Sequence, residues 1–292
     1  GGRGTVDLSF QGLLYAWQMV TMPMALMLCF NMVLGWKPSR LLRKTWRERV
    51  EASEQHLLRH DARSLARLQE LRSDEERKKY HRYFDFEDDA ADTFIGVRMG
   101  QVFALAKQGL LTPPAEIEKL MESDIHEARA AAMSIMAKQY QAKKTTPERK
   151  QELFELYLRR HDRINNWDLV DLAAYYVIGP HLLERPRDIL YRLARSENLW
   201  ERRTAILATF AFIRRGELDD TFAIAELLLD DPEDLVLKAV GWMLRATDTN
   251  RPALNAFLDR HAAQMPRIML RNALEHYAPE ERAHYMAMGK GK

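Results

Sequence analysis

Beyond residue 50 the apolar positions recur every three or four residues, as at Ile125, Ala128, Ala132, Ile135 and Met136, or at Leu153, Leu156 and Leu158. This is the spacing of one helix face, and runs that alternate in the manner of strands are missing. Thr146-Pro147, Asp231-Pro232 and Asn165-Asn166 each place a capping residue beside a first turn, so they predict helix starts. Breaks are expected at Gly179-Pro180, at Gly216 and over Asp248 to Asn250, which leaves short connections. The predicted class is all-α.

The helices also show a loose period. Amphipathic segments begin near Asp124, Asn165, Glu197, Glu233 and Met265, some 32 to 41 residues apart. That interval is typical of paired-helix solenoids, in which each pair buries its apolar face on the next and the stack offers a concave surface to a long partner. Periodicity alone favours a non-catalytic scaffold that binds DNA or protein.

The first fifty residues follow a different pattern. From Leu8 to Trp36 there is no charged residue, a length sufficient to span a bilayer, and the basic run 37–49, at net +5, resembles a cytoplasmic flank. Pro23, Gly12, Gln11, Gln18 and Asn31 interrupt the apolar run. A membrane-associated helix, an extension without a native role and a core helix all remain open for 8–36. The expected organisation is an extension over 1–50 and a helical-repeat domain over 51–292.

Composition adds exclusions. A hydrophobic fraction of 47% beside 29% charged residues fits a folded core. The one cysteine, Cys29, rules out an internal disulfide framework and any cysteine-rich zinc site, and suits a reducing, cytoplasmic setting. His56 and His60 share a helical spacing but lack the remaining ligands of a zinc hydrolase, so no metal site is expected. Of the net charge of +2, residues 50–292 hold −3, so any nucleic-acid surface there must be a local basic face.

Three segments carry candidate chemistry: Asn-Trp-Asp-Leu-Val-Asp at 166–171, Leu-Trp-Glu-Arg-Arg-Thr-Ala-Ile-Leu at 199–207, and Lys-Ala-Val-Gly-Trp-Met-Leu-Arg at 238–245. Trp167 and Asp171 stand four apart, on one face of the helix that Asn166 starts. Asp168 falls in the first turn, where the helix dipole explains a carboxylate. Asp171 lies too far along to cap and sits between Val170 and Leu172, so it needs either an ion-pair partner or a chemical role. A helical tryptophan is most often core, and Trp200 is assigned there.

In this order the segments resemble the AlkD-type DNA alkylation-repair family. Phe94-Ile-Gly-Val-Arg98 with Ala104-Leu-Ala-Lys107, and Met-Pro-Arg-Ile-Met-Leu-Arg at 265–271, add to the resemblance, which covers roughly residues 52–286. The chain departs from the family pattern at Asn166 and at Met99-Gly100-Gln101. The resemblance implies a right-handed solenoid of HEAT-like repeats with a concave DNA-binding face, and a monofunctional glycosylase that excises cationic alkylated purines from duplex DNA. It implies catalytic roles for Asp171, Trp167 and Trp242, and DNA contacts for Arg203 and Lys238, Arg203 reaching a backbone phosphate near the lesion. Arg202, Arg214 and Arg215 are expected to be solvated. No cofactor is implied, and a monomer is expected.

Overall fold

A computed structural model describes residues 65–80, 82, 84 and 92–289. The apolar segment 8–36, the basic run 37–49, Cys29, His56 and His60 lie outside the described residues. All described residues belong to one unit, 57–292.

Within it the helices are α1 (Asp74–Tyr80), α2 (Met99–Gln108), α3 (Pro114–Glu122), α4 (His126–Gln141), α5 (Pro147–Arg159) and α6 (Trp167–Ala173). They continue as α7 (Asp188–Leu193), α8 (Leu199–Ala208), α9 (Asp219–Leu227), α10 (Asp234–Ala246), α11 (Arg251–His261), α12 (Arg267–Ala273) and α13 (Pro279–Met288), with short helical turns between some of them. No strand occurs among the described residues; Thr93 and Ile125 form an isolated bridge.

Packing explains the period. The even-numbered helices α2, α4, α6, α8, α10 and α12 pack on one another in chain order, while α3, α5, α7, α9 and α13 pack against members of that row. Inner members of the row such as α4, α8 and α10 therefore have neighbours on several sides. Accordingly α4 buries nearly all of its residues, where a surface helix would bury one stripe.

Local signals account for most of the ends. Thr146 caps α5 by accepting from the Arg149 amide at 3.2 Å, with Pro147 in the first helical position. Asn166 caps α6 by accepting from the Trp167 amide at 2.8 Å. At Asp231-Pro232 the helix starts later, at Asp234, because Asp231 accepts from the Glu233 amide at 2.9 Å and turns the chain first.

Gly179-Pro180 does not break the chain as expected. Residues 174–178 form a π-helical turn in which the Gly179 amide donates to the Ala174 carbonyl, and helical backbone continues over Gly179–His181. Hydrogen bonding changes register there, which accommodates the missing Pro180 N–H.

At the start of the unit, Gly96 has φ +78° and stands against the Ser73 carbonyl, so only glycine fits. The adjoining amides of Ile95, Gly96 and Val97 all donate to the Glu127 carboxylate, at 2.7–3.2 Å. That carboxylate is fully buried, and these bonds fix residues 95–97 against α4.

Candidate active site

The sequence-selected residues fall on three consecutive members of the row. Trp167 and Asp171 lie on α6, Arg203 on α8, and Lys238 and Trp242 on α10. Because α6 packs on α8 and α8 on α10, side chains far apart in sequence meet.

Asp171 and Arg203 form the centre. Nε and Nη2 of Arg203 donate to the two Asp171 oxygens at 3.0 Å each, a bidentate fork that fixes the carboxylate plane. Nη1 of Arg203 donates to the Leu235 carbonyl at the start of α10. The guanidinium carbon also lies 5.2 Å from the Trp242 ring centre, within cation–π range. Arg203 is only 1% exposed, so it does not present its fork to solvent for a phosphate. Its observed partner is Asp171, which retains 23% side-chain exposure.

Both readings of Asp171 thus coincide in one carboxylate, ion-paired yet accessible. Burial pushes its pKa up, the charge and hydrogen bonds of Arg203 pull it down, and nearby Asp168 adds to the rise, leaving it at about 6. Asp171 is therefore mostly ionised at neutral pH.

The tryptophans are held differently. Trp167 is half-buried and stacks on Phe84, with ring centres 5.6 Å apart and planes 17° from parallel. Trp242 is half-buried and donates its indole N–H to Asn272 Oδ1 on α12, at 3.1 Å. Trp200 packs half-buried against the core. Lys238 is half-exposed and makes no hydrogen bond or ion pair with any described residue, leaving a cation one turn before Trp242. Arg202 is committed to Asp231 through Nε and Nη2, at 2.6 and 3.1 Å, and Arg215 pairs with Glu184.

Behind α6 lies a buried network that sequence reading missed. His126 Nε2 is 2.8 Å from Asp168 Oδ2, and its Nδ1 is 3.2 Å from Asp92 Oδ2. Each ring nitrogen thus faces a carboxylate oxygen, an arrangement that favours the doubly protonated imidazolium. Burial opposes that charge, but the attraction of Asp168 and its hydrogen bond, with that to Asp92, outweigh burial and the repulsion of Arg129, and hold the pKa up at about 9. Asp92 also accepts from Arg129 and Asn165; although burial disfavours its charge, these partners and His126 draw its pKa down to about 2. Asp168 has this tertiary partner in addition to its first-turn position. Phe94 stacks on His126 at 4.5 Å, and Phe84 meets His126 edge-on at 5.1 Å, so the network backs the aromatic pair that includes Trp167.

Among the described residues no cluster of His, Cys, Asp or Glu could hold a metal ion. No helix of the described residues is long and apolar enough to cross a membrane.

A family model described as DNA alkylation repair enzyme matches residues 64–277, spanning α1 to α12 and every residue of the site. The chain belongs to the DNA alkylation repair enzyme family. The match covers most of the chain, and it supports a role in DNA repair with DNA as partner. No curated protein matches the chain. In this DNA alkylation repair enzyme, His126, Asp92 and Asn272 escaped sequence reading because each pairs with a residue about one repeat or more away. The faint signal for the first was His126 standing beside Glu127 and Arg129 at the head of an alanine-rich helix.

Proposed function

We propose that the chain is a monofunctional DNA glycosylase that releases cationic alkylated purines, of the 3-methyladenine and 7-methylguanine type, from duplex DNA. The observation that carries this reading is Asp171: a carboxylate ionised at neutral pH, fixed in plane by Arg203, accessible, and one helical turn from Trp167.

Alkylation at N3 of adenine or N7 of guanine places positive charge on the base. When the glycosidic bond breaks, its electron pair neutralises that base, and the sugar develops oxocarbenium character at C1′. No acid is needed for a leaving group that departs neutral. Asp171 stabilises the developing cation and orients the water that adds to C1′. The indoles of Trp167 and Trp242 supply aromatic faces for cationic and C–H groups. Arg203 serves here by holding Asp171, and Lys238 is the cation available to a phosphate. The row of even-numbered helices would offer the concave DNA-binding face of a right-handed repeat stack.

Incubation with methylated duplex DNA should liberate both modified bases. Asp171→Asn should slow release at least about 100-fold while DNA binding persists. Absence of base release by the intact chain overturns the glycosylase reading in favour of a non-catalytic DNA-binding scaffold, whereas full release by Asp171→Asn overturns only the role of that residue.

A further inference from the structure

We propose that Asn272 is a positioning residue of this site, acting through the Trp242 indole; its catalytic consequence rests on the glycosylase reading. The amide has only one orientation that satisfies both neighbours. Its Nδ2 donates to the Ile268 carbonyl one turn back on α12, at 2.7 Å, so Oδ1 faces Trp242 and accepts its indole N–H at 3.1 Å. Asn272 thereby ties the indole to a helix that carries no other residue of the site.

The contact depends on a close approach of α10 and α12. A Cβ placed on Gly241 would fall 2.6 Å from the Asn272 Cβ and 2.6 Å from the Met269 carbonyl oxygen. The missing side chain lets α12 come near enough for a short amide to reach the neighbouring residue, Trp242. From there the contacts run on without a gap. The indole ring lies 5.2 Å from the Arg203 guanidinium carbon, and Arg203 forks onto Asp171. Asn272 thus stands at the far end of a relay, Asn272 to Trp242 to Arg203 to Asp171, that sets where the carboxylate and the indole sit together.

A second consequence concerns how Trp242 meets DNA. An indole has a single donor and no acceptor. With that donor held by Asn272, Trp242 meets the nucleotide through its ring surface and not through a directed hydrogen bond.

The test uses the intact chain and Asn272→Leu, which keeps the bulk and removes the acceptor. Six tryptophans give six indole N–H cross-peaks in a proton–nitrogen correlation spectrum, and the Trp242 peak is assigned by its loss in Trp242→Phe. In Asn272→Leu that peak should move upfield and its proton should exchange faster with solvent, the other five staying in place. Single-turnover base release should fall about five- to tenfold, with affinity for methylated DNA unchanged, since misplacement of a group lowers the chemical step. An unmoved Trp242 peak overturns the anchoring. A moved peak with an unchanged chemical step overturns the positioning role. If the unaltered chain releases no base, the glycosylase reading fails, and the spectrum still decides whether Asn272 anchors the indole.

Discussion

At Asp171 burial and an ion pair act against each other, and their balance leaves the pKa at about 6. Only the ionised form stabilises a developing cation, so kcat/KM for base release should rise with pH through about 6 and level off above it. Replacing Arg203 by methionine removes the attraction that lowers this pKa; the acid limb of the pH profile should then move to higher pH, which a profile of the variant checks directly. An unmoved limb would assign it to another group. His126 works in the opposite sense. Its folded pKa of about 9 exceeds the ordinary 6.5, so its contacts with Asp168 and Asp92 stabilise the fold fully below pH 6.5, and that contribution is lost as pH rises through about 9. Unfolding free energy should drop by about 3 kcal/mol over that window, at 1.36 kcal/mol per pKa unit. Urea titrations of His126→Gln should lack the drop.

Gly241 shows how one missing methyl determines the spacing of two helices. In Gly241→Ala the new carbon meets a backbone carbonyl oxygen, which cannot swing aside, so α12 must move away from α10. A loss of about 2 kcal/mol in denaturant unfolding is expected, with loss of the Trp242–Asn272 bond. Much at this scale was legible beforehand. The segments read from near Asp124, Asn165, Glu197, Glu233 and Met265 begin within two residues of α4, α6, α8, α10 and α12, because caps and apolar spacing are local properties. Gly179-Pro180 misled, since a π turn takes up the missing amide, and nothing in the residues themselves announces that change of register. The pair Trp167 and Asp171 was visible because one turn of one helix separates them. The family resemblance gives Arg203 to a phosphate, and only the packing of α8 on α6 reveals that its fork is occupied. His126 with Asp168, like Asn272 with Trp242, joins different repeats, and such pairing leaves no fixed interval to read.

For the molecule as a whole, charge constrains how DNA can be held. Residues 50–292 carry a formal −3, so attraction to a polyanion must come from cations left free at the surface. Many arginines are already spent on carboxylates, as Arg160 is on Glu118 and Glu122, and Arg187 on Glu217 and Asp220. Lys238 is not. Lys238→Met should weaken binding to modified and unmodified duplexes alike and make the slope of log K against log salt about one unit shallower, as measured by titration at several salt concentrations. A loss confined to modified DNA would instead place Lys238 at the lesion.

The bidentate pair of Arg203 and Asp171 has one more consequence. Two opposite charges so close together behave at a distance as a dipole, whose field dies away faster than that of a lone carboxylate and is screened further by salt over about 8–10 Å. In the proposed reaction the enzyme would therefore not be drawn to a charged lesion from afar. It would sense the modified base only on contact, so the frequency with which it samples each base pair, more than any long-range pull, would govern how quickly damage is found.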